Sequence, residues 1–273
     1  MDPTWVIPAA GQVIRNREEI VGTWRRVLNL LMGKKSQLAI TGMPGTGKSV
    51  LLDHLSGEAL RSDYSPPERS AQVERETLHK KGQRLALAAI PGQKASNRMR
   101  AVDELFLGKI PVRGVLHVVS FGYTETRSSF AIEAMEDTRL TDLRKARLEE
   151  ELADLQETCS AVRAAWTRRR EPIWLLVAVN KVDLYSDDDA LAEARHRYSP
   201  AAASDFSRIL QELQSQVGSD NFSWEAIPTC SWLEDFVWGD ERIQSRLDVG
   251  QRNDLLKRLG TRISARCEGK KDA

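Results

Sequence analysis

Three short stretches of this sequence carry chemically capable residue types, and the first of them has a spacing that suits phosphate. The first, Gly42-Met43-Pro44-Gly45-Thr46-Gly47-Lys48-Ser49, has the spacing G-x-x-x-x-G-K-[ST]. Glycines at such spacing let backbone N–H groups turn inward around an anion, and a helix that follows directly adds the positive end of its dipole. Gly42, Pro44, Gly45, Thr46, Gly47, Lys48, Ser49 and Val50 are therefore the candidate phosphate-loop residues. Lys48 would bridge the β and γ phosphates of a triphosphate, and the Ser49 hydroxyl would ligate Mg²⁺. The second stretch is Asn180-Lys181-Val182-Asp183, placed where the apolar run Ile173 to Val179 ends. The third is Thr229-Cys230-Ser231, after Ile227-Pro228.

The elements that must hold these residues alternate. Gln37 to Thr41 reads as a short apolar strand that runs through the glycine-rich loop into a helix carrying Val50, Leu51, Leu52 and Leu55. Residues 61 to 70 read as an exposed loop, 73–78 and 84–90 as a β-hairpin, 96–107 as a helix, and 114–120 as a buried strand. An inserted loop is expected at 121–141. A long helix follows, with Leu148, Leu152, Leu155, Cys159, Val162 and Trp166 as its core stripe. The strand 173–179, a helix at 203–216, a strand at 223–227 and a last helix at 251–266 complete the chain. Strands alternating with helices predict an α/β fold, a largely parallel sheet with helices on both faces.

Composition bounds what else the chain can be. It has 273 residues, 41% hydrophobic and 29% charged, which suits a packed core. Lys plus Arg number 40 against 39 Asp plus Glu, a formal charge of +1, so no global field draws nucleic acid and none is expected as a partner. The longest uncharged apolar run falls far short of the ~20 residues a membrane-spanning helix needs. Residues 1–35 predict an N-terminal extension whose amphipathic helix carries Ile20, Val21, Trp24, Val27, Leu28 and Leu31 on one face. That face packs on its own domain or, alternatively, touches a membrane surface. Cys159, Cys230 and Cys267 are odd in number and widely spaced, so a reducing cytoplasmic setting is expected.

With the phosphate loop, N-K-x-D at a strand end resembles the Ras-like class of P-loop GTPases. The resemblance implies a three-layer fold with a mostly parallel six-stranded sheet, spanning residues 36–273, and GTP or GDP with Mg²⁺ as cofactors. It implies that Asp183 reads guanine N1 and N2, that Lys181 covers the base, and that Asn180 ties this loop to the phosphate loop. Thr229-Cys230-Ser231 resembles the last nucleotide element of the class. There the Ser231 backbone N–H would reach guanine O6, with Cys230 packing beside it.

Two features depart from that pattern. The class carries D-x-x-G after its third strand, whereas this chain reads Ala89-Ile90-Pro91-Gly92. Gly92 is retained to bond the γ phosphate, and Gln93 stands where a glutamine orients the attacking water, or is simply an exposed polar residue. No Thr occurs between Thr46 and Thr77 to sense the γ phosphate, which leaves Ser65 or Ser70 for that role. Gln93 and Lys48 are thus the catalytic candidates. A guanine-nucleotide switch with slow or partner-stimulated hydrolysis and a protein effector is expected. The alternatives are a non-hydrolysing scaffold that binds a partner protein and, from the loop centre alone, an ATPase signalling subunit. Trp232, Phe236 and Trp238 in the tail either cover the core or face a partner.

Overall fold

The computed structural model describes residues 3–9, 19, 22–27, 29, 37–60, 63–66, 74–80, 83–89, 102, 104–124 and 138–268. Strand β1 (Gln37–Thr41) leads through the glycine loop into α1 (Lys48–Ser56). Then come β2 (Glu74–Lys80), β3 (Gln83–Ala89), β4 (Val112–Val119) and the long α2 (Leu140–Arg169). Strand β5 (Ile173–Val179), helices α3 (Asp188–Tyr198) and α4 (Asp205–Val217), and strand β6 (Phe222–Pro228) follow. A small hairpin, β7 (Phe236–Trp238) and β8 (Glu241–Ile243), precedes the C-terminal α5 (Val249–Glu268).

Strands β1, β4, β5 and β6 form a parallel set. On its other side β1 pairs in parallel with β3, and β3 pairs antiparallel with β2. A parallel strand buried on both faces needs apolar side chains at every position, and Ile-Trp-Leu-Leu-Val-Ala-Val of β5 supplies them. Because side chains alternate, one set (Leu38, Ile40, Leu116, Val118, Leu176) packs under α1 and α5, and the other (Ala39, Val115, Leu175, Val177) under α2 and α4. This is the α/β architecture that the alternation of elements predicts. The phosphate loop leaves the C-terminal end of β1, and the Asn180 and Ser231 segments leave the same end of β5 and β6.

The structure corrects several expectations. The expected stripe on α2 does pack on the core, but it is not the whole of the buried face. Leu155, Cys159 and Val162 are buried, but Leu148, Leu152 and Trp166 are only partly so, and Glu151, Asp154 and Thr158 share the buried face. These polar groups have partners inside. Glu151 accepts from the Ser120 and Gly122 amides and from the Tyr198 hydroxyl, and the Thr41 and Thr158 hydroxyls meet His117. Helix α3 is an element the periodicity did not announce, because only Ala194 and Tyr198 of it are buried. Of the loop expected at 121–141, Phe121 to Thr124 form a buried turn and α2 already begins at Leu140. Residues 125–137 of that loop and most of the helix expected at 96–107 lie outside the described residues.

In the N-terminal segment Trp24 and Val27 are buried with the α1 and α5 side chains. Gly260 of α5 makes room for them, since a Cβ there would lie 2.9 Å from Thr23 Cγ2 and 3.4 Å from the Trp24 ring. In the tail, Phe236 is buried and Trp238 packs on the core, its indole N–H donating to the Thr138 carbonyl.

Candidate nucleotide site

Two glycines of the phosphate loop are required by close approach. Gly42 has φ 129°, and a Cβ there would meet the Val118 carbonyl oxygen at 2.2 Å. Gly47, which caps α1 at φ 91°, would place a Cβ 2.3 Å from Asn180 Nδ2 and 2.9 Å from Ser231 Oγ. Any side chain at 47 would therefore push the phosphate loop off the other two segments. The loop is braced on one carbonyl, that of Met43, which accepts from Thr46 Oγ1 at 2.9 Å and from Lys48 Nζ. Lys48 is buried in this arrangement, whereas Ser49 and Val50 in the first turn of α1 are half-buried, as are Pro44 and Gly45.

Asn180, fully buried, is the joint of the site. Its Nδ2 donates to the Thr46 carbonyl at 2.7 Å and to Ser231 Oγ at 2.9 Å, and its Oδ1 accepts from the Ser231 amide at 2.8 Å. The expected tie between the Asn180 segment and the phosphate loop is thus one direct hydrogen bond, to the Thr46 carbonyl, while the other two join Asn180 to Ser231. The Ser231 amide, expected to be aimed at guanine O6, is instead donated to Asn180. The reason is geometric: parallel β5 and β6 end side by side, with Val179 paired to Pro228, so the segments that follow are adjacent.

Lys181 adopts a left-handed backbone (φ 61°), and its Nζ donates to the Tyr123 carbonyl at 2.8 Å, 5.7 Å from the centre of the Phe236 ring. Asp183 is 1% exposed. Its Oδ1 accepts from the Cys230 thiol at 3.2 Å, and its Oδ2 has no hydrogen-bond partner. An unpartnered buried carboxylate oxygen is costly, and a ligand that donates to it removes the cost. Burial raises the Asp183 pKa, opposed by the neighbouring Ser245 hydroxyl, the Cys230 thiol and nearby backbone amides, that of Glu234 among them. Burial likewise drives the Cys230 thiol far up, so the S–H stays protonated as a donor rather than becoming a nucleophile.

Gly45 and Gly47 of the phosphate loop, Val50, Lys181, Asp183, Ser231 and Trp232 border one cavity of about 450 Å³, to which Ser65 also contributes. That volume lies within the ~300–1,000 Å³ common for small-molecule sites. Gly92 and Gln93 lie outside the described residues, as does Ser70. Ala89 ends β3 in register with Ile40 of β1, so the backbone position expected to carry a metal-shell carboxylate lies beside the strand that enters the phosphate loop.

Several contributors to the site escaped sequence reasoning. Cys230 donates to the candidate base-reading carboxylate besides packing. His54, buried on α1, holds the Ser231 carbonyl through Nε2 at 3.0 Å, and the imidazole is a neutral donor because burial lowers its pKa to about 4. Tyr123 contributes only a carbonyl. A lone His among leucines carries no motif, and a backbone acceptor carries no side-chain signal at all.

The 50S ribosome-binding GTPase family matches residues 37–177, from the start of β1 nearly to the end of β5. The chain belongs to this family. As a member of a GTPase family it has the P-loop GTPase fold, with guanine nucleotides as the ligand class. No curated protein matches it. Similar solved structures include the small COPII coat GTPase SAR1 of Encephalitozoon cuniculi with GDP, at 15% identity over 93% of this chain and 89% of the other, TM-score 0.45. Toc33 of Arabidopsis thaliana with Mg²⁺ and GMPPNP is 10% identical over 94% and 97%, TM-score 0.45. The signal recognition particle receptor SRb of Chaetomium thermophilum with GDP is 17% identical over 72% and 89%, TM-score 0.40. Asn180, Asp183 and Ser231 all lie beyond the matched stretch of this GTPase-family chain.

Proposed function

We propose that this GTPase-family protein binds GTP and GDP through the site just described and acts as a regulatory switch with slow intrinsic hydrolysis. The observation that carries the reading is the unpartnered Oδ2 of buried Asp183, on a segment that Asn180 locks to the phosphate loop. Guanine offers N1–H and N2–H on one edge, a pair that a single carboxylate accepts and that adenine lacks. Lys48 would exchange the Met43 carbonyl for phosphate oxygens, a charge-assisted and therefore stronger bond. Amides of the loop and the α1 N-terminus add to the same field.

Mg²⁺, when bound, would neutralise charge on the β and γ phosphates. Ser49 is the one protein donor proposed for it, and with Ala89 in place of an acid its remaining ligands are phosphate oxygens and water. Mg²⁺ accepts such hydrated coordination. Gln93 is proposed to orient the attacking water and Gly92 to bond the γ phosphate. A protein partner that completes the water site would then raise turnover.

Calorimetric titration of nucleotide-stripped protein with GDP, GTP and ATP tests the reading. Guanine-selective binding with slow phosphate release is expected, and equal or absent binding of the two bases would sink it. Ala89 favours one second reading, a non-hydrolysing scaffold in which the nucleotide is a structural cofactor. Bound GTP that is unchanged after prolonged incubation with Mg²⁺ would select that reading.

A further inference from the structure

Guanine N1–H and N2–H reach one carboxylate together only when both of its oxygens lie near the plane of the base. The χ2 torsion of an aspartate is broad, so the rotamer alone does not set that plane and the surroundings must. We infer that Ser245 is a positioning residue for Asp183, its hydroxyl donating to the carboxylate and fixing, with the Cys230 thiol, the plane presented to the base. This rests on the guanine reading above and gives a role to a residue well beyond the stretch that the family matches.

Ser245 reaches Asp183 from the stretch that follows β8, and two backbone bonds hold it there. The Ser245 amide donates to Asp235 Oδ1 at 2.8 Å, and the amide of the next residue, Arg246, donates to the Asp183 carbonyl at 3.0 Å. An ion pair stands behind each bond. Arg242 Nε donates to Asp235 Oδ2 at 2.8 Å, and the Arg246 guanidinium donates to Asp187 Oδ2 at 3.0 Å. The backbone on both sides of the Ser245 side chain is therefore anchored, one end to the start of the β7–β8 hairpin and the other to the Asp183 segment itself.

The hydroxyl has one evident use. Ser245 Oγ is buried and has no hydrogen-bond partner among the described residues, yet it lies beside the Asp183 carboxylate and helps to hold that carboxyl's pKa down. Leaving a buried hydroxyl unbonded costs free energy, and turning its O–H to the carboxylate recovers that cost as a charge-assisted bond. The thiol on Oδ1 is the weaker donor of the two. A carboxylate has about four lone-pair sites, so it can meet hydroxyl and thiol alongside both base N–H groups. Ser245 is not among the residues that border the cavity, so it acts through Asp183 and not on the nucleotide.

The test is calorimetric titration of the full chain with GDP and with inosine diphosphate, on wild type, Ser245→Ala and Ser245→Thr, beside urea melts of each. Inosine keeps N1–H and lacks the 2-amino group, so it needs one carboxylate oxygen where guanine needs two. Ser245→Ala is expected to weaken GDP about tenfold and inosine diphosphate by no more than about threefold, so that selectivity between them falls. Ser245→Thr, which retains the hydroxyl, is expected to keep the wild-type selectivity.

A merely structural role would lower stability and weaken both nucleotides alike, and that result overturns the proposal. Should Ser245→Ala not fold, Ser245→Cys decides, because it exchanges the hydroxyl for a weaker donor of similar size: selectivity equal to wild type overturns the proposal. Wild type that prefers GDP, with no change of selectivity in Ser245→Ala, overturns this inference alone. Wild type that takes up no GDP overturns the guanine reading and this inference with it.

Discussion

The two ends of the candidate site are built differently. At the base end, side chains from three segments interlock. Asn180 reaches the phosphate loop and Ser231, Cys230 reaches Asp183, and His54 reaches the Ser231 carbonyl. At the γ-phosphate end, β3 finishes with Ala89 beside β1, and the position carries no carboxylate for a metal shell. Holding a nucleotide and hydrolysing it draw on different groups, so the first can be kept while the second is weak or borrowed. The internal hydrogen bonds of the base end also mean that it is organised without a ligand, which reduces the ordering cost of binding.

The comparison breaks most sharply at Asp183. Asp183→Asn should weaken GDP by at least about 100-fold, since it removes two charge-assisted hydrogen bonds, and should shift preference toward xanthosine diphosphate. Competitive titration with the two nucleotides checks it, and unchanged guanine preference would dissociate Asp183 from the base.

Gly47→Ala should come next. Its Cβ would lie 2.3 Å from Asn180 Nδ2 at a positive φ, and separating the segments should cost about 2–3 kcal/mol of stability in urea unfolding, together with nucleotide affinity. A Gly47→Ala protein as stable as wild type would show that the segments are not interlocked as described.

A pH titration sharpens the same comparison. The folded chain refuses His54 a proton until about pH 4, whereas an unfolded histidine takes one near pH 6.5. The contribution is present above pH 6.5 and is lost as pH falls toward 4, to a limit of about 3 kcal/mol. Urea melts of wild type against His54→Gln should therefore show the wild type losing more stability over that range.

The smallest effect is expected at the other end. Ala89→Asp should give roughly tenfold tighter Mg²⁺-dependent GTP binding and some gain in turnover, measured with and without chelator. No response would mean that the missing acid does not limit metal binding.

Much of this was legible in the residues. The strand, glycine loop and helix follow from an apolar pentad running into G-x-x-x-x-G-K-[ST], because the loop is contiguous and its constraint local. Strand β5 was legible because a parallel central strand must be apolar at every position. The buried face of α2 was not. Its Glu151, Asp154 and Thr158 look like solvent residues in sequence, and they are buried only because the end of β4 presents amides and a histidine to them. Helix α3 was missed for a related reason: a helix that buries only Ala194 and Tyr198 leaves little periodic trace.

The linear order of residues by itself determined the phosphate loop, the candidate purine-reading tetrapeptide and the alternation of strand and helix, since each is set by groups within a few positions of one another. The tertiary structure alone decided that Asn180 would take the Ser231 amide, that Cys230 would donate to Asp183, and that His54 would stay neutral. It also brought Trp232 to the cavity that Lys181 and Asp183 border. Those outcomes depend on parallel strands ending side by side and on burial that strips water from polar groups, and neither condition is written in any local stretch of chain.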